Sequence, residues 1–159
     1  MIPDYLHLTG KQWIGGSDDC YGIIQHYYDD SFGIKLTNYA RPDYWWNKGL
    51  DLYRDNFRAE GFSVVDIELH EMWIGDLILV CVGSEVPCHA GVYVDQGKIL
   101  HHYRHRLSEV VPPRGIWRTA RSCIIRHKDV PELREEGKPL DLMSLMPKRF
   151  RDAAATASS

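Results

Sequence analysis

A chain of 159 residues with 44% hydrophobic and 26% charged residues can bury one substantial core, is too short for two, and is not a disordered polymer. Its formal net charge of −3 gives no overall attraction to nucleic acid, and no nucleic-acid partner is expected. The longest apolar run, Ile74 to Val82, carries Asp76 and is too short to cross a bilayer, so no transmembrane segment is expected. Met1-Ile2-Pro3-Asp4-Tyr5 lacks the basic and apolar regions of a secretory signal, which makes synthesis in a cytoplasm the expectation. The four cysteines form no C-x-x-C pair and do not resemble a disulfide framework; Cys81, in an apolar run, reads as a buried small hydrophobe.

Residues 1–16 form a leading segment that ends in a loop at Gly15-Gly16. Ser17, Asp18 or Asp19 can each cap the helix that follows, in which Ile23, Ile24, Tyr27 and Tyr28 make one apolar stripe and Gly33 is the stop. After an extended stretch from Ile34 to Pro42, the spacing of Trp46, Leu50, Tyr53 and Phe57 predicts a second helix from Trp45 to Glu60, ended by Gly61. That stripe assigns Trp46 to the core and leaves Tyr44 or Trp45 for a groove or a partner.

The period then changes to that of strands: Phe62 to Ile67, Leu77 to Val82, His89 to Val94, Lys98 to His102 and, after the Pro112-Pro113 loop, Cys123 to His127. Asp95-Gln96-Gly97 reads as a hairpin turn, with Gly97 available for positive φ. Helices followed by an antiparallel meander make an α+β pattern with a sheet of about five to six strands. The domain is expected to span residues 1–128. Residues 129–159, punctuated by Pro131, Pro139 and Pro147, form a C-terminal extension with at most a short helix near Leu140 to Met146.

Chemistry is concentrated at three positions. Cys20 falls where the first helix begins, among N–H groups that lack acceptors, and that setting lowers a thiol pKa. Gly22 leaves space near the sulfur for a substrate backbone, and neighbouring amides can stabilise an oxyanion. His89 opens a strand whose next residues are small, which suits a base beside a groove. The hairpin returns His101 alongside His89, close enough for one imidazole to orient the other, while His102 points to the opposite face.

Asp19-Cys20-Tyr21-Gly22-Ile23 resembles the D-C-x-G-[LIV] signature of the NlpC superfamily of cysteine peptidases. The run from His89-Ala90-Gly91-Val92-Tyr93 through the turn to Ile99-Leu100-His101 resembles its second signature, and Gly75-Asp76-Leu77-Ile78 looks like the G-D-[LV]-[LV] that precedes it. The likeness covers residues from about 10 to 127. It implies a papain-like fold and a triad of Cys20 as nucleophile, His89 as base and His101 as orienting residue. It also implies hydrolysis of amide bonds in peptidoglycan stem peptides without a cofactor or metal. Trp13 stands where the family has a groove-lining aromatic, usually Tyr, and with Asp19, Tyr21 and Gly22 it is expected to contact substrate.

A narrower resemblance, carried by Tyr27-Tyr28, Phe57, Gly61-Phe62, His102, Arg106-Leu107-Ser108, Trp117, Arg126 and His127, is to the peptidase component of the tail tip in phages with long flexible tails. It implies a virion location, tail-tip and hub proteins as partners, and a docking role for residues 129–159. Two other readings share these residues: a structural tail-tip component whose hydrolysis is suppressed or dispensable, and an acyltransferase or amidase on the same scaffold. A zinc site built on Cys88, His89, His101, His102 and His105 is disfavoured, because neighbouring ligands point to opposite faces of a strand.

Overall fold

The structure is a computed structural model, and it describes residues 1–133. Helix α1 spans Cys20–Phe32. Its cap is Asp19, which accepts from the amide of Gly22, and Gly33 closes it in the left-handed conformation at φ 65. The expected second helix is broken in two. Trp45–Lys48 form a single 3₁₀ turn that stops at Gly49 with φ 77, and Asp51 then caps a separate short helix α2, Leu52–Asn56. A left-handed glycine and a new cap between the halves defeat the continuous periodicity. The rotation this introduces exchanges two tryptophans. Trp45, 5% exposed, is in the core, while Trp46 is only partly buried.

The sheet has six strands, β1 Phe62–Val65, β2 Leu77–Val80, β3 His89–Val94, β4 Lys98–His101, β5 Glu109–Val111 and β6 Arg121–His127. They lie in the order β1-β6-β2-β3-β4-β5, with every neighbouring pair antiparallel. The expected β1, β2 and β4 are each shorter at their C-terminal ends, so Cys81 lies just past β2 and is only half-buried. Strand β5 and the one-turn helix α3, Ile116–Thr119, arise in the stretch read as a proline loop. At the hairpin both Gln96 and Gly97 have positive φ.

Both faces of the central strands are covered, which is why Leu77-Ile78-Leu79-Val80 reads as an unbroken apolar run. One face, with Leu77, Leu79, Val92 and Leu100, packs on Ile23, Ile24, Tyr27 and Tyr28 of α1. The other, with Ile78, Val80, Ile99 and Ile124, packs on Trp117 of α3 and on Met72. Asp76 receives a bidentate clamp from Arg126, Nε to Oδ1 and Nη2 to Oδ2 both at 2.8 Å, which ties the approach to β2 to strand β6. The core runs past the expected boundary at residue 128, because Val130 is buried with α1 residues and β2. The anticipated helix at residues 140–146 lies outside the described residues.

Candidate active site

Two peptide amides and one guanidinium hold the start of α1 in place. Asp19, though charged, is buried because each carboxylate oxygen has fixed donors: Oδ1 accepts from Gly22 N at 2.8 Å, and Oδ2 accepts from Gly16 N at 2.8 Å and Arg41 Nε at 2.9 Å. Arg41 in turn donates through Nη1 to Asn38 Oδ1 and to the carbonyl of Tyr39. Gly22 is required here by close approach rather than by substrate. A Cβ at this position would stand 1.8 Å from the carbonyl oxygen of Ser17, so the expected substrate gap at Gly22 is filled by the protein's own turn.

This brings Cys20 to the wall of a cavity of about 270 Å³, which Trp13, Asp19, Tyr21, Tyr53, His89 and His102 also line. The Cys20 Sγ lies 3.3 Å from Tyr53 Oη. The cavity leaves Cys20 partly exposed, but the protein packed round its sulfur pushes the thiol up to about 11. Burial is the main cause and the Asp19 carboxylate the second; the Tyr53 hydroxyl and the Arg41 guanidinium oppose them. The expectation that the helix start would lower this pKa is therefore reversed. The first-turn dipole is outweighed by desolvation and by the carboxylate that caps the same turn.

Strand register positions the imidazoles. Gly91 pairs with His101, so His89 and His101 lie on one face as diagonal neighbours rather than directly opposite. His89 Nε2 is 3.0 Å from His101 Nδ1. Gly91 lies between them on the same face, and a Cβ there would meet Ile99 at 2.4 Å and Trp117 at 2.8 Å. The missing side chain lets Trp117 pack against both rings, with centroids at 5.5 Å from His89 and 5.1 Å from His101. The Tyr103 ring lies tilted against His89, with centroids 4.7 Å apart. Burial, helped by His101 and His102, pulls His89 down to about 3, so the imidazole is neutral at ordinary pH.

The remaining expected residues separate by role. Trp13 is on the cavity wall, its ring tucked against Gly15 and covered by the Arg104 guanidinium at 5.0 Å. Tyr21 also lines the cavity, with its hydroxyl donating to the Thr37 carbonyl at 2.8 Å. Asp19 is engaged within the protein by the donors described. His102 lies on the other face, and its Nε2 is 3.0 Å from the Arg106 carbonyl. Among the described residues no group of three or more His, Cys, Asp and Glu side chains converges as metal ligands would.

Three participants carry no sequence signature of their role. Tyr53 reads as one member of an apolar stripe, and Arg41 stands in an extended stretch with no motif around it. Glu109 had no strand to stand on; it pairs directly with His101, and its Oε1 is 3.1 Å from His101 Nε2. The signal that could have found it is the short Glu109-Val110-Val111 run, which continues the meander by one strand.

Cys20 at a helix start and His89 at a strand start share one cavity wall, with His101 behind His89, and together with the sheet they define a papain-like α+β domain. The NlpC/P60 family model matches residues 8–126, and the chain belongs to that family. It is 35% identical to tail tip assembly protein K of Escherichia phage lambda over 122 residues, covering 77% of this chain and 60% of that protein. It is 34% identical to tail tip assembly protein K of Escherichia phage N15 over 128 residues, covering 79% of this chain and 51% of that protein. The chain thus spans less than two thirds of the length of these relatives.

Solved structures agree on the fold. A Staphylococcus aureus protein described as similar to lipoprotein, NLP/P60 family, aligns with TM-score 0.51 at 21% identity, covering 77% of this chain and 38% of that one. NlpC1 from Trichomonas vaginalis aligns with TM-score 0.51 at 17% identity, covering 76% and 40%.

Proposed function

We propose that this chain is a cysteine endopeptidase of a phage tail tip that cleaves amide bonds in peptidoglycan stem peptides. The observation that carries the reading is the single cavity onto which Cys20 and His89 both open, with His101 behind His89. Since His89 Nε2 is engaged by His101, Nδ1 is the nitrogen left to serve the thiol.

The starting pair is a neutral thiol and a neutral imidazole. The Cys20 proton passes to His89 Nδ1 as Sγ attacks the carbonyl carbon, and the oxyanion is held by first-turn amides other than that of Gly22, which Asp19 engages. The imidazolium then gives its proton to the leaving amine, and water hydrolyses the thioester to the acid and free thiol. Tyr53 donates to the sulfur while it carries negative charge.

The names of the relatives support a tail location and association with other tail proteins; that the partners are tail-tip and hub proteins, met through residues 129–159, is part of the same proposal. Incubating the chain, alone and within assembled tails, with purified muropeptides should release new amine termini detectable by mass spectrometry. Cys20→Ala should abolish them with an unchanged circular-dichroism spectrum. No cleavage in either preparation contradicts the proposal. The assembly function in the relatives' names favours a second reading, in which the domain is a structural part of the tail. Particles that assemble with Cys20→Ala but fail to cross the cell wall would reject it.

A further inference from the structure

Two neutral imidazoles in a row do not by themselves decide which way their hydrogen bond runs. Each neutral ring has one N–H and one bare nitrogen. If the proton between His89 Nε2 and His101 Nδ1 belongs to His101, then His89 carries its own proton on Nδ1 and has no lone pair for the thiol. If it belongs to His89 Nε2, the His89 Nδ1 is bare and can accept a proton.

The direction is set from the far end. His101 Nε2 lies 3.1 Å from Glu109 Oε1, and an ionised carboxylate can only accept. Nε2 of His101 must therefore keep its hydrogen, its Nδ1 must be bare, and the bond at 3.0 Å must be donated by His89 Nε2. Burial holds His101 below its ordinary pKa, with Glu109 opposing, which keeps this ring neutral. The other groups near the pair cannot substitute. Trp117 and Tyr103 present ring faces or edges, and His102 is tied to the Arg106 carbonyl.

We propose that Glu109 is a positioning residue that fixes the tautomers of both His101 and His89 and so leaves His89 Nδ1 bare toward the thiol. The inference rests on the reading of Cys20 and His89 as nucleophile and base. The Glu109 side chain is 50% exposed, so water competes for the same role and the effect on rate is bounded at one to two decades.

The test pairs Glu109→Gln, whose amide oxygen still accepts, with Glu109→Lys, whose ammonium can only donate. Long-range ¹H–¹⁵N spectra at neutral pH should show His89 and His101 both as Nε2–H tautomers in the wild type and in Glu109→Gln. In Glu109→Lys both should switch to Nδ1–H. On stem peptides kcat/KM should fall less than about tenfold for Gln and about 100-fold for Lys, with unchanged thermal midpoints. Retention of both Nε2–H tautomers in Glu109→Lys, or an undiminished kcat/KM in that variant, overturns the proposal. A wild type inactive on every stem peptide, both alone and within assembled tails, overturns the proposed function instead, and the spectra still decide the role of Glu109.

Discussion

The two halves of the site are held by different kinds of structure. His89, His101 and Glu109 sit on three consecutive strands, where ladder hydrogen bonds fix each Cα before any side chain is considered. Cys20 begins a helix, but what surrounds its sulfur comes from irregular chain: Arg41 from an extended stretch, Tyr53 from a five-residue helix, and Gly16 from a turn. The imidazole half transmits position through the backbone. The thiol half depends on a buried ion pair and a single phenol, so it is the half that one substitution can loosen.

The difference extends to electrostatics, since both partners are held neutral by burial and proton transfer waits for the substrate. The largest effect should appear in iodoacetamide alkylation of Cys20. With the thiol pushed up to about 11, about one molecule in 10⁴ is thiolate at pH 7, and the rate should rise about tenfold per pH unit from there to pH 11. A plateau between pH 5 and 8 would show a preformed thiolate–imidazolium pair and remove the distinction.

Substitution of the base comes next. His89→Ala should lower kcat/KM by about 10³-fold and, because it leaves a hole beside Trp117 and an unpaired His101 nitrogen, should cost about 2–3 kcal/mol of stability, less than the loss in transition-state stabilisation. A larger loss of stability than of rate would recast His89 as packing.

Asp19→Ala strikes the thiol half. It strips the buried Arg41 of its carboxylate and frees the amides of Gly16 and Gly22, and urea unfolding should show a loss of about 3–5 kcal/mol. A loss below about 1 kcal/mol would mean that the irregular half does not depend on this pair. The smallest effect is expected for Tyr53→Phe, which removes one hydrogen bond to Sγ, about 1 kcal/mol, and should reduce kcat/KM roughly fivefold. The alkylation curve should shift to higher pH in the same variant, because Tyr53 lowers the thiol pKa.

The same division explains what could be read from sequence. The hairpin turn at Asp95-Gln96-Gly97 fixes a register, and register places His101 near His89 without any tertiary information. The α1 cap was legible as one of three candidates, since capping chemistry is local. Arg41 and Tyr53 were not legible, because nothing in their spacing says that they fold back onto residues 22 and 33 positions earlier. The single helix from Trp45 failed for a related reason: helical periodicity survives across Gly49 even though the chain breaks there. Gly22 shows that a motif can be recognised and its physical cause misassigned, for the glycine admits the Ser17 carbonyl rather than substrate.

The central claim is that the Cys20 sulfur forms the covalent intermediate. A stem-peptide substrate should be mixed with the chain, quenched in acid within one turnover, and the protein digested and weighed. A thioester of the acyl fragment on the peptide containing Cys20 is the predicted result. Release of cleaved product with no adduct on Cys20, and equal release by Cys20→Ala, would contradict it.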